Sequence, residues 1–307
     1  MHQSDKSDTT GLAAAPAAQA MNSAQRAAEL PFHNYQGGSA ARRRTAPAAG
    51  SGLGRPRPAR ARLRTYGQGA GYGENHVRRS GRDHTVPGMP HAYPPLDVEV
   101  RTPRLALAGA TDDLLERLVP LIREGVVSAG QMPFDDPMSL YEDSPQREWK
   151  WLRGIWAGRA RVDPQCWRLY FVVMVEGSPV GMQDLIGTDF AAFGTVSTFS
   201  WLQPSCRRRG LGTEMRSAIL HLAFDGLDAR EASSEAFTDN EASNALSRGL
   251  GYEPNGTTWA TRRGNPAPLT AWKLTRKNWE QSRRDDIQLT GVEACLPVLG
   301  LDRPQRA

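Results

Sequence analysis

The chain has 307 residues, 38 Lys and Arg against 33 Asp and Glu, and no apolar run near the ~18 residues that a membrane span needs, so a transmembrane helix is excluded and the chain reads as soluble. Cys166, Cys206 and Cys295 are odd in number, widely spaced and without a C-x-x-C pair, which argues against a disulfide framework or a zinc site and fits a reducing cytoplasm; no metal is expected. The net charge of +5 hides a division: residues 1–95 hold 13 basic and 5 acidic side chains, net +8, and the rest is net −3.

Residues 1–92 read as a disordered basic tail, because stretches such as Arg42-Arg43-Arg44 and Arg55 to Arg62 combine high charge with too little apolar surface to offset chain entropy. Leu12 to Ala20 is mostly Ala with a Pro inside, too weak for the apolar region of a secretory signal. Two readings of the tail stay open: a basic arm on RNA, with Tyr66 and Tyr72 free to stack, and a segment that is not translated, Met89 being an alternative start. Nucleic acid is not the expected partner. All eight Trp lie beyond residue 95, so the core is expected there, with a domain over 93–282 and a C-terminal extension of unknown role over 283–307.

Val98, Val100, Leu105 and Leu107 predict a first strand. Thr111 then caps a helix whose Leu114, Leu115, Leu118, Leu121 and Ile122 share one face. After an acidic loop from Gly130 to Asp143, Ser144-Pro145 opens a second helix with Trp149, Leu152 and Trp156 on one stripe. A hairpin follows, Trp167 to Val175 and Val180 to Ile186 about Glu176-Gly177-Ser178-Pro179. Gly194 to Leu202 is a further strand with an aromatic face. Met215, Ala218, Ile219, Leu222 and Ala223 mark a third helix from Leu211, and His221 falls on its polar side. A strand near Glu231 to Phe237 leads to Asp239-Asn240 and a fourth helix through Ala242, Ala245, Leu246 and Leu250, ended by Gly251. Thr257 to Arg263 and Leu269 to Thr275 are the last strands. Ile287, Leu289 and Val292 alternate before Pro297, the pattern of one more strand or of an interface. The order predicts a mixed α/β, α+β-like domain with a mostly antiparallel sheet flanked by helices.

The informative motif is Arg207-Arg208-Arg209-Gly210-Leu211-Gly212-Thr213, set between a strand and an amphipathic helix. Glycines free such a turn from Cβ clashes, so backbone N–H groups converge on an anion at a helix N-terminus, and the arginines add charge. A Walker loop needs Lys and then Ser or Thr after its last Gly, which Thr213-Glu214 does not supply, and a dinucleotide fold needs a parallel sheet.

With that loop, read as Arg207-x-x-Gly210-x-Gly212, and with Asn240-x-x-Ser243 and Gly251-Tyr252 downstream, the chain resembles the GNAT acyltransferase superfamily over roughly residues 97–280. Arg101-Thr102-Pro103-Arg104-Leu105 and Leu274-Thr275 to Trp279 resemble the subgroup that acetylates protein N-termini, ribosomal proteins among them. The resemblance implies acetyl-CoA or another acyl-CoA as co-substrate, held by the backbone of Phe199, Ser200 and Trp201, by Arg207 to Thr213 and by Asn240 and Ser243. It implies direct attack by an amine acceptor, a protein N-terminus or a small molecule, with Ser247 assisting the leaving thiolate and Asp184 or Glu235 holding a water as base. Cys206 is expected to be an apolar filler and not a nucleophile. A non-catalytic coenzyme-A-binding module is the alternative from another class, and a homodimer is left open.

Overall fold

The computed structural model describes residues 90–127, 132–134 and 141–302; the tail reading, Met89, Asp135 and Asp136 lie outside them. The first strand divides into β1 (Glu99–Arg101) and β2 (Ala106–Gly109), because Pro103 brings no N–H to a ladder and Thr102 closes a turn on Leu105 through its backbone N–H, 2.9 Å, and its hydroxyl. α1 (Asp112–Glu124) starts under the Thr111 cap and buries Leu115, Leu118 and Ile122. α2 (Gln146–Arg159) corrects the predicted stripe: Glu148, Trp151 and Ile155 are buried, whereas Trp149 and Trp156 are 59% and 45% exposed. The buried phase includes a charge that periodicity discards, since Ser144 and Arg123 both donate to Oε1 of the Glu148 carboxylate.

β3 (Cys166–Val175) and β4 (Ser178–Thr188) form the expected hairpin; a short α3 (Phe190–Phe193) leads into β5 (Thr195–Leu202). α4 (Leu211–His221) runs on through a π turn to Gly226, and β6 (Glu231–Phe237), α5 (Glu241–Gly249), β7 (Glu253–Arg262), β8 (Asn265–Thr275) and α6 (Arg276–Glu280) follow. β9 (Gln288–Thr290) and α7 (Val292–Cys295) follow, and a 3-10 turn over Leu296–Leu299 is the last element of the described chain. The nine strands lie in the order β7-β8-β6-β5-β4-β3-β2-β1-β9, with β5–β6 parallel and the other pairs antiparallel.

The period-two alternation of β3 to β5 divides the core between the two sheet faces. Val172, Met182, Phe199 and Trp201 meet α1 and α2 on one side. Leu169, Phe171, Leu185 and Val196 meet Ala218, Ile219 and Leu222 on the other. The C-terminal extension is the strand option: β9 pairs with β1, and Cys295, Leu296 and Leu299 enter the second core. No helix among the described residues is long and apolar enough to cross a membrane.

Candidate active site

The site begins where the sheet opens. β5 and β6 are paired only at Thr195–Glu231, Val196–Ala232 and Ser197–Ser233; beyond these, β6 pairs with β8 alone and β5 with β4 alone. The result is a fork with one strand on each arm. The carbonyls of Gly194 and Val196 face β6, accepting from the Arg230 N–H at 2.7 Å and the Ser233 hydroxyl at 3.2 Å. Alternation therefore turns the backbone groups of Thr198 and Ser200 into the opening. Phe199 points its carbonyl the other way, where Gln183 Nε2 donates to it at 3.0 Å. Of the three β5 residues singled out in the sequence, Ser200 alone presents its backbone to the fork; Thr198 was missed, although counting from Gly194 finds it.

The arms open onto the start of α4. Gly210 occupies its N-cap at φ 77°, a conformation that suits glycine, and no side chain caps the first turn, so the N–H groups there have no side-chain partner. A Cβ on Gly212 would stand 3.4 Å from Leu246 Cδ1 of α5. Arg208, Arg209 and Thr213 are exposed and Leu211 is buried beneath them. Arg207 behaves differently from its neighbours: its Nε donates to Leu202 O at 2.9 Å and its Nη2 to Val126 O, which ties the loop to the end of β5 and to the chain after α1. Burial lowers the pKa of its guanidinium.

Glu214, an acid in the first turn of α4, is buried and held by Arg104 Nε at 2.5 Å and the Thr102 hydroxyl at 2.6 Å. Burial raises its pKa, but these bonds outweigh that and hold it below the ordinary value. Arg104 also donates to Arg209 O at 3.1 Å, so the β1–β2 turn positions the glycine loop.

On the far arm Asn240 caps α5, its Oδ1 accepting the Ser243 N–H at 3.2 Å. One turn further in, Asn244 joins Phe237 O to Trp272 Nε1, and beyond it Ser247 is fully buried with no partner for its hydroxyl. Ser247 therefore faces the interior of the domain and not solvent.

The two candidate acids differ. Asp184 on β4 is buried and bound by Arg168, Nη2 to Oδ2 at 2.6 Å; burial pushes its carboxyl above the ordinary value against the pull of Arg168. Arg168 also lies over the rings of Tyr170 and Phe199, at 5.1 and 5.6 Å, and burial pushes the Tyr170 hydroxyl up to about 12. Glu235 on β6 is half-buried and accepts the Thr258 hydroxyl at 3.0 Å. Cys206 is buried in the turn before the loop. His221 corrects the expectation of a polar side: it is buried edge-on to Trp279, 6.1 Å between centroids, and 3.4 Å from Asp225. No cluster of His, Cys, Asp and Glu able to hold a metal occurs among the described residues.

A fork whose free edge runs down to an uncapped helix start accommodates a ligand with an extended amide-bearing arm and an anionic end, which is the shape of acyl-coenzyme A. The chain carries a GNAT domain: the family model described as the acetyltransferase (GNAT) domain matches residues 104–253, from the β1–β2 turn to the start of β7. That domain makes it an acyl-CoA-dependent N-acyltransferase. RimJ of Mycobacterium smegmatis, solved in complex with CoA-disulfide, is similar in fold at 16% identity, with 59% of this chain and 88% of that one covered and a TM-score of 0.50. The ribosomal L7/L12 alpha-N-protein acetyltransferase RimL, solved with coenzyme A, aligns at 18% identity over 57% of this chain and 95% of that one, with a TM-score of 0.47.

Proposed function

We propose that this protein transfers an acetyl or other short acyl group from acyl-CoA to the α-amine of a protein N-terminus or to a comparable small amine, by direct attack. The fork carries this reading: the Thr198 and Ser200 backbone groups offer an extended arm a strand to pair with, and the first turn of α4, flanked by Arg208 and Arg209, offers its N–H groups to the pyrophosphate. A β5 N–H facing the opening polarises the thioester carbonyl, and the amide nitrogen of Asn240, whose Oδ1 is taken by the cap, is left for the arm.

The buried hydroxyl of Ser247 donates to the departing thiolate, whose pKa near ~8.5 lets it leave partly unaided. Asp184, locked to Arg168, holds Arg168 and Tyr170 in place on the acceptor side, and Glu235 is the acid on the open arm that orients a water toward the amine. An α-amine suits such a weak base, since deprotonation near pH 7.4 costs under ~1 kcal/mol for an amine of pKa ~8 but ~4 kcal/mol for a lysine.

Thiol release measured over an amine panel tests the assignment. Peptides with a free α-amine should turn over faster than Nα-blocked peptides with one lysine, and the reverse order would overturn the acceptor class. Ser247→Ala should slow the single-turnover step by up to ~10²-fold with CoA affinity kept, and a wild-type rate would remove Ser247 from the chemistry.

A further inference from the structure

Arg216 lies in the middle of α4 and is only 5% exposed. Its Nη1 donates to Ser234 Oγ at 3.1 Å, its Nε has no partner, and no carboxylate among the described residues pairs with it. The Tyr252 hydroxyl stands close to it and to Thr198 Oγ1, both hydroxyls buried and without a well-formed hydrogen bond. Ser234 and Thr198 are the first residues past the last β5–β6 pair, Ser197 and Ser233, so this guanidinium sits at the apex of the fork on the α4 side.

A guanidinium stays charged at any pH at which a protein folds, and a buried charge is ordinarily paired. Its partner must also carry a lasting charge. The thiolate and the oxyanion of the reaction are transient, and the proposed mechanism gives each its own donor. A coenzyme arm laid along β5 toward Thr198 brings its acyl end to this apex. An acetyl group would place a methyl there, against an uncompensated cation and three hydroxyls. A carboxylate would meet a planar fork of donors flanked by Ser234, Thr198 and Tyr252, each able to donate.

From this cluster we infer that the acyl pocket binds a carboxylate, and that the preferred donor carries a dicarboxylic acyl group of the succinyl kind. The inference rests on the reading that the fork holds acyl-CoA. The reaction keeps its balance: the amine nitrogen bonds to the thioester carbon, the C–S bond breaks, and the proton lost by the amine ends on the departing thiol. Arg216 binds the acyl end and takes no part in that exchange.

Calorimetric titration of the wild-type protein with CoA, acetyl-CoA and succinyl-CoA tests it. Succinyl-CoA should bind at least about tenfold more tightly than acetyl-CoA, as a charge-assisted pair requires. Arg216→Met should bring the ratio of the two affinities near one, Arg216→Lys should restore part of it, and Tyr252→Phe should reduce it by less. The melting temperature of unliganded R216M should equal or exceed that of wild type, because an unpaired buried charge has been removed. Equal affinities of the wild type for the two thioesters would overturn the inference and leave the coenzyme site standing. Failure of all three ligands to bind would overturn the coenzyme reading and this inference with it.

Discussion

Burial decides the protonation state of His221. It pulls the imidazole pKa below the ordinary 6.5, and the opposing pull of Asp225 is shared with Arg283, 2.9 Å away. The unfolded chain therefore binds the proton more readily, so the stability this residue contributes is complete above about pH 6.5 and is lost as pH falls toward the folded value. Melting temperature should drop between pH 7.5 and 5.5, and His221→Gln should flatten that slope; parallel slopes would show that other groups set it. Gly210 and Gly212 answer to a different constraint. Gly210→Asp adds a side chain at positive φ and a negative charge where the anion should lie, so Gly210→Asn, which tolerates that conformation, separates strain from charge. CoA affinity measured by calorimetry should fall about tenfold or more in both Gly210→Asp and Gly212→Asp and clearly less in the Asn variants, because a first-turn charge acts directly on a bound anion. Equal losses for Asp and Asn would move the pyrophosphate away from this turn. The glycine pattern was legible because the motif is local, whereas the tying of Arg207 to Leu202 and Val126 depends on chain far upstream and left no mark in the motif.

Among the elements, those whose apolar period stood alone were read correctly: α4 buries Met215, Ala218 and Ile219, and the caps at Thr111 and Asn240 formed as expected. α2 was misread because tryptophan identity suggested burial, while the real inward phase runs through Glu148, Trp151 and Ile155. Aromatic residues alone do not fix the phase of a helix; the carboxylate that finds Ser144 and Arg123 does as much. For β9, three residues of alternation cannot distinguish a strand from an interface, and its partner β1 lies near the other end of the described chain. Its packing now gives the extension a structural duty. Truncation after Asp286 should strip the pairing from β1 and remove Leu296 and Leu299 from the core, and Leu299→Ala alone should cost about 2–5 kcal/mol. Denaturant unfolding of both variants checks this, and an unchanged midpoint would show the extension to be an ornament on an independent domain.

At the scale of the whole molecule, local signals named the loop, the cap and the family resemblance, and long-range geometry made the fork. Thr198, Arg216, Ser234 and Tyr252 come from four separate segments and share no pattern in the sequence, so a buried cation at the apex could not be read before the sheet was assembled. Charge divides the chain differently. Residues 1–95 carry net +8 without a single Ile or Trp, whereas the core is built from residues at and beyond Val98. A segment with so little apolar side chain supplies little burial, so a chain beginning at Met89 should melt at the same temperature as the full chain. Ligand binding gives a second readout, since a ligand at 100 times its Kd stabilises a two-state fold by about 2.7 kcal/mol whatever lies outside the site. The rise in melting temperature with CoA should therefore match in the two chains at 0.15 M salt. At 0.02 M salt, where the Debye length exceeds ~20 Å, a basic segment that draws the coenzyme phosphates would give the full chain the larger rise. A fall of many degrees in the shortened chain without ligand would instead show that residues 1–88 pack on the domain, and would return that segment to the account of the fold.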